Sequence, residues 1–185
     1  IMLDEYFPAK SGWKIEILAT DLSRRCLKKA QSGIYDANEV EDTVPKNLLR
    51  KNFEKLDGSW RIKSRHRKRV VFREHNLLRG WEDIGTFDVV LMRNVLTYVL
   101  SPYKRKVAMH TYEHLEDHGF FLLGRLEKPA VGHFFVPVSE PEESCFRKNL
   151  DVGQGARLKK LTTSRREMTP VLSAPLVKLL SSSDM

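Results

Sequence analysis

Hydrophobic positions in this chain gather into short runs, separated by polar or helix-like stretches. The clearest run, Phe87-Asp88-Val89-Val90-Leu91-Met92, stops at Arg93-Asn94, and a second apolar-periodic stretch starts at Val95 and reaches Tyr98 and Val99. A short apolar run bounded by polar residues is the pattern of a strand buried on both faces. The same residues would also suit a buried helical turn with two polar residues toward solvent, so the neighbouring elements must decide.

Those neighbours alternate. Lys14–Ala19 reads as a strand ending in Thr20-Asp21. Leu22 to Gln31 follows as a helix, with Leu22, Cys26, Leu27 and Ala30 at helical spacing and Ser32-Gly33 as its stop. Ile34 to Thr43 is a polar, acidic connection, and Pro45 to Phe53 a second short helix with proline in its first turn. Asp57-Gly58 signals a turn leading into Ser59–Ile62, the start of a small hairpin. Val70-Val71-Phe72 begins another strand. Ser101 as cap and Pro102 at the first position open a helix from Tyr103 to Leu115, and Phe120–Gly124 is a further buried strand. His133–Val138 and Ser144–Lys148 read as an antiparallel closing pair, and Ile1–Phe7 as the middle of a helix. Strand–helix alternation from Lys14 to Gly124 predicts a doubly wound α/β sheet. From Asp151 onward, glycines, clustered Lys and Arg, and scattered Ser and Thr predict a largely disordered tail, with Val171 to Leu180 a candidate amphipathic helix.

With 185 residues the chain is one domain's worth with a small appendage. No apolar run approaches the roughly 18 residues a membrane span needs. Cys26 and Cys145, the only cysteines, lack ligand-like spacing and read as ordinary thiols of a reducing compartment. The formal charge of +8 permits an acidic partner without naming one. Its densest source is Arg61, Lys63, Arg65, Arg67, Lys68, Arg69 and Arg73, with no acid between them. A charge run is usually a solvated face. Only Trp60 and Phe72 stand near it as stacking aromatics, so a nucleic-acid partner is not expected. His110, His114 and His118 share helical spacing, but no carboxylate or cysteine ligand pairs with them, and no metal site is expected.

Candidate chemistry comes from register. Asp21, Asn76 and Arg93-Asn94 fall at the carboxyl ends of three successive predicted strands. In open α/β sheets that edge is where ligands bind. An acid there accepts from ribose hydroxyls, an amide can read an adenine edge, and Arg93-Asn94 can address charged or amide groups. Asp21 is equally suited to capping the helix that follows it.

The stretches Ile17–Asp21, Ala30–Tyr35, Phe72–Leu78, Phe87–Tyr98 and Gly119–Gly124 together resemble the chemotaxis receptor protein-glutamate methyltransferases, the CheR family. Order and spacing match from about Leu3 to Lys148. The resemblance implies a partial class I methyltransferase (Rossmann-like) sheet over 1–150, with a small basic β subdomain inserted at 53–74 and a basic, Ser-rich tail at 151–185. It implies S-adenosylmethionine as cofactor and glutamate carboxylates of chemoreceptor cytoplasmic domains, or another acidic protein, as substrate, in the cytoplasm. Carried over by motif, Asp21 matches the ribose-binding acid and Asn76-Leu77 the pair beside the adenine. Arg93-Asn94 matches the pair near the methionine portion, and Tyr98 the tyrosine near the transferred methyl. The basic subdomain falls where some members dock a receptor tail.

The sequence departs from that pattern in two places. The glycine-rich cofactor loop and the helical domain before it lie outside this stretch, which predicts weak cofactor binding by these residues alone. Gly124-Arg125-Leu126-Glu127 stands where family members usually have a serine before the glutamate. The alternative function is a non-catalytic remnant or adaptor that binds an acidic protein through its basic patch.

Overall fold

The computed structural model describes residues 1–7, 12–125, 127, 132–138, 144–154 and 174–180. In chain order, α1 (Met2–Tyr6) leads to β1 (Lys14–Asp21), α2 (Arg24–Ser32), β2 (Ile34–Asp36), α3 (Ala37–Glu41) and α4 (Lys46–Asn52). A hairpin, β3 (Phe53–Leu56) and β4 (Ser59–Ile62), precedes α5 (Ser64–Arg67) and β5 (Val70–Glu74). Then come β6 (Phe87–Met92), α6 (Ser101–His114), β7 (Leu115–Leu123), β8 (Phe135–Pro137), β9 (Cys145–Lys148) and β10 (Ala174–Leu180).

Seven strands form the main sheet, in the order β5-β1-β10-β6-β7-β9-β8. β1 runs parallel to β5, and β6 parallel to β7. β10 is antiparallel to both β1 and β6, so those four strands share one direction and one carboxyl edge. β9 and β8 close the far side as the antiparallel pair that the sequence pattern predicts. The architecture is mixed α/β, a partial Rossmann-like sheet.

Phe87, Val90 and Met92 of β6 are buried, and Trp81, Phe121, Val107 and Leu115 pack around them in the principal core. Taking a side chain of Phe121's size out of water contributes about 1.5–3 kcal/mol, so this cluster carries much of the fold. α6 adds Val107, Ala108 and Thr111, the last bonding its own helix at Val107 O, 2.9 Å away. α2 ends where its glycine predicts. Gly33 adopts φ 63°, its N–H reaches Lys29 O and Ala30 O, and a Cβ there would lie 2.7 Å from Ile62 and Arg67.

Three sequence expectations need correction. The Ile34–Thr43 connection contains β2 and α3, and β2 adds a third strand to the hairpin in a separate sheet ordered β2-β4-β3. Isoleucine and tyrosine at Ile34 and Tyr35 suffice for a short strand once β4 offers an edge. Val70–Glu74 joins the main sheet, so the small sheet spans Ile34–Ile62 and the expected subdomain at 53–74 straddles both.

The third concerns the tail. Ala174–Leu180 is neither helical nor detached; it is the strand between β1 and β6. Periodicity misleads here because a central strand is set by the ladders it makes on both sides, and a short apolar stretch of this length suits helix and strand alike. Residues 155–173 and 181–185 of the expected tail lie outside the described residues.

Val177 pairs with Ile17 on one side and Val89 on the other. Proline at that position cannot donate to the ladder. Val177→Pro is expected to cost about 1–3 kcal/mol, the penalty of a disrupted buried hydrogen bond, and to lower the urea midpoint. An unchanged midpoint, followed by tryptophan fluorescence, would remove β10 from the folded sheet.

Candidate functional site

At the shared carboxyl edge, β1 delivers Asp21 and β6 delivers Arg93-Asn94. Between them lies a cavity of about 250 Å³, lined by Thr20, Asp21, Cys26, Phe72, Arg93 and Asn94 among others. A second cavity of about 190 Å³ sits away from this edge, against α1 and the small sheet.

Asp21 is not the helix cap. Ser23 takes that position, its Oγ accepting the Cys26 N–H at 3.3 Å. Asp21 Oδ1 instead accepts the Ser23 N–H at 2.7 Å, which fixes the carboxylate and leaves Oδ2 for another donor. The Asp21 carbonyl also accepts the His75 N–H at 3.1 Å, drawing the loop after β5 to the same edge.

Asn76 and Leu77 stand in that loop, outside the cavity lining. Asn76 Oδ1 accepts the Leu78 N–H at 2.9 Å, a local turn that leaves its NH2 group for other partners. Leu77 is fully buried, with its side chain in the main core. Beneath it Trp81 Nε1 donates to the Leu77 carbonyl at 3.3 Å. Tyr98 ends a 3₁₀ turn, Leu96–Tyr98, is 73% exposed and does not line the cavity. The structure therefore gathers Asp21, Arg93 and Asn94 around one space, with Asn76 and Leu77 on the adjoining loop and Tyr98 outside its lining.

Asn94 has φ +59°, the one non-glycine residue with positive φ among those described. Asparagine tolerates this conformation better than most residues, but something must hold it. Glu127 does. It is only 4% exposed, and its Oε2 accepts the N–H of Asn94 at 2.7 Å and of Gly124 at 2.9 Å. Its Oε1 accepts the Thr97 N–H at 3.0 Å. Gly124 leaves room for this: a Cβ there would lie 2.5 Å from Asn94 Oδ1 and 2.8 Å from Glu127 Oε2. Reading the sequence for site residues missed Glu127. Its signals were an acid three positions beyond a glycine at a strand end and its match to the glutamate that ends the family's pattern there.

The basic run is tied inward more than its sequence suggests. Lys63 Nζ and Arg65 Nη2 each donate to the Lys51 carbonyl at 2.8 Å. Arg67 Nη1 reaches the Ser32 carbonyl at 3.3 Å, Arg69 pairs with Asp4, and Arg73 pairs with Asp83. Buried His66 joins α1 to α4, with Nδ1 3.0 Å from Asp4 Oδ2 and Nε2 2.9 Å from Asn52 Oδ1.

Among the described residues no group of His, Cys, Asp and Glu could hold a metal ion, and no helix is long and apolar enough to cross a membrane.

The model of the CheR methyltransferase SAM-binding domain matches residues 1–134. The chain belongs to the CheR methyltransferase family. It is 34% identical over 113 residues to chemotaxis protein methyltransferase Cher2 of Pseudomonas putida, covering 60% of this chain and 41% of that protein. It is 36% identical over 114 residues to chemotaxis protein methyltransferase 1 of Pseudomonas aeruginosa, covering 61% of this chain and 42% of that one. Chemotaxis protein methyltransferase 2 of Vibrio cholerae is 33% identical over 130 residues, covering 69% and 45% respectively. The chain thus spans less than half the length of the curated relatives it matches.

Behind the Asn76 loop, Trp81 packs edge-on against His75 and His110 at ring separations of 5.9 and 5.8 Å, and against His114 at 5.6 Å. Burial above all, then the Lys106 and His114 charges, holds His110 down to about 4, while Glu82 opposes. Burial likewise lowers His75, with Arg73 and His114 adding to it and Asp83 opposing. Between their ordinary value near 6.5 and these depressed values, the unfolded chain binds more protons than the folded one. The stability these neutral imidazoles contribute is therefore present above about pH 6.5 and lost as pH falls toward 4. The urea midpoint is expected to fall between pH 7 and pH 5, and His110→Gln to flatten that slope. A slope identical in the variant would clear His110 of the effect.

Proposed function

We propose that this chain belongs to the cofactor-binding domain of an S-adenosylmethionine-dependent methyltransferase acting on glutamate carboxylates of chemoreceptor cytoplasmic domains. The observation that carries this reading is the meeting of Asp21, Arg93 and Asn94 around one cavity at the carboxyl edge of parallel strands. The family assignment supplies the reaction class, and the relatives' names supply the chemotaxis setting.

The residues suit the cofactor chemically. Asp21 has one oxygen fixed by Ser23 and one left to accept from a ribose hydroxyl. The Asn76 NH2 group suits an adenine edge, and Leu77 borders it through backbone alone, since its side chain is in the core. Arg93 and Asn94 face the demands of an amino-acid moiety, which offers a carboxylate and an ammonium. When bound, S-adenosylmethionine supplies an electrophilic methyl group on a sulfonium centre. The protein's own share is to orient the acceptor carboxylate in line and keep water away. A glutamate side chain with its ordinary value near 4.3 is already ionised at neutral pH, so no general base is needed. Tyr98, exposed beyond the turn that follows Asn94, is the residue we assign to the acceptor side.

The small sheet and the basic residues that follow it in α5 and β5 offer a surface for an acidic receptor segment. Lys63, Arg65, Arg67, Arg69 and Arg73 already have internal partners, so such docking would rest on shape and residual field more than on unpaired cations.

Cys26 is exposed and lines the cavity, whereas Cys145 lies elsewhere and burial pushes its thiol up. S-adenosylmethionine at about 1 mM, enough to fill even a weak site, is expected to slow alkylation of Cys26 by iodoacetamide and leave Cys145 unchanged. Asp21→Ala removes a charge-assisted acceptor and is expected to weaken protection about 10–100-fold. Alkylation of Cys26 indifferent to the cofactor would sink the reading.

A further inference from the structure

We infer that Glu127 is the positioning residue of this edge, the group that sets where Arg93, Asn94 and Tyr98 are presented. Three backbone N–H groups from two turns converge on its carboxylate: Asn94 and Gly124 on Oε2, Thr97 on Oε1. The first and third lie in the turn that follows β6; the second ends β7. A single side chain thus ties together the ends of two neighbouring parallel strands, at the edge where ligands bind in open sheets.

The geometry is selective for a carboxylate. Oε2 receives two N–H donors and Oε1 one, so each oxygen must act as an acceptor. A glutamine of the same shape turns an NH2 group toward at least one backbone N–H, donor against donor. The steric side is equally tight, because Gly124 admits no Cβ without displacing Asn94 Oδ1 or Glu127 Oε2.

Asn94 is the point of leverage. Its positive φ is a conformation that most side chains avoid, and it lies one residue from Arg93 and inside the cavity lining. Release of the Asn94 N–H lets that residue return to ordinary backbone angles, which redirects Arg93 before it and the 3₁₀ turn ending at Tyr98 after it. Glu127 itself does not line the cavity; it acts through the backbone of residues that do.

Amide hydrogen exchange on the full chain tests this without any ligand. In the unaltered protein, Asn94, Thr97 and Gly124 are expected to share one opening free energy, because one carboxylate holds all of them. Protection factors differing by more than about tenfold among the three would overturn the proposal, since tenfold is near the worth of a single hydrogen bond. In Glu127→Gln the protection of Asn94 and Thr97 is expected to fall at least about tenfold, while Val90 and Phe121 in the strands keep theirs. An even loss through β6 and β7, or none at Asn94 and Thr97, would also overturn it.

The role at the cofactor edge rests on the proposed methyltransfer reading and has its own readout. Protection of Cys26 by S-adenosylmethionine is expected to weaken in Glu127→Gln, and a variant protected as well as the unaltered chain would confine Glu127 to local structure. If the unaltered chain shows no protection at all, the functional reading fails, whereas the exchange data still decide whether Glu127 positions the turn.

Discussion

A carboxylate taken out of water needs donors, and Glu127 finds them in the backbone of two adjacent turns. The exchange is mutual. The N–H groups of Asn94, Thr97 and Gly124 sit where strands have ended, beyond the reach of the sheet ladder, and part-buried amides without acceptors are costly. One side chain therefore satisfies backbone groups that neither strand could satisfy alone. The αL conformation at Asn94, the absence of a side chain at Gly124 and the placement of Arg93 all follow from that arrangement.

The arrangement acts only because the sheet brings β6 and β7 into parallel register, with Met92 opposite Leu123. Parallel pairing makes both carboxyl ends meet at one edge, and β1 with β5 brings Asp21 beside Glu74 to the same edge. β10 joins these halves while running the other way, entering at Ala174 opposite Thr20 and leaving at Leu180 opposite Lys14. A central strand must satisfy ladders on both sides, so the seven-stranded sheet is continuous only through this segment. Its point of entry lies beside Thr20, which lines the cavity.

Much of this was legible in the sequence, for reasons that can be named. β1, β6 and the strand part of β7 are apolar runs interrupted by polar punctuation, and such runs announce themselves by hydrophobicity alone. Gly33 and Gly58 mark turns because φ near +63° suits glycine. Asp21, Arg93 and Asn94 were found because strand ends are predictable once strands are, and they do share a cavity. Asn76 and Leu77 were harder. The Asn76 side-chain carbonyl serves its own turn, and the leucine beside it belongs to the core. Glu127 was visible only as the family's glutamate, and its role was not, because two of its three backbone partners lie thirty or more positions away. β10 was out of reach for a related reason: seven residues from a polar region become a strand only because β1 and β6 both offer edges.

The charge distribution makes the same point about context. A run from Arg61 to Arg73 without an acid reads as a patch awaiting a partner, yet its acids and carbonyls come from elsewhere in the chain: Asp4, Asp83, Ser32 and Lys51. Arg69 to Asp4 and His66 to Asp4 fasten α1 against α5, while Arg65 and His66 converge on Asn52 at the end of α4. Arg73 fastens the end of β5 to the loop that carries Trp81. Exposed ion pairs contribute little singly, about 0–1 kcal/mol each, so their value here is in fixing which surfaces meet. They hold α1 and the end of α4 against α5 and its neighbours, and the end of β5 against the loop that carries Trp81. The basic residues thus belong to the framework of the site as well as to its field. The net charge of +8, from 32 Lys and Arg against 24 Asp and Glu, is therefore a diffuse long-range field rather than a dedicated row of unpaired arginines.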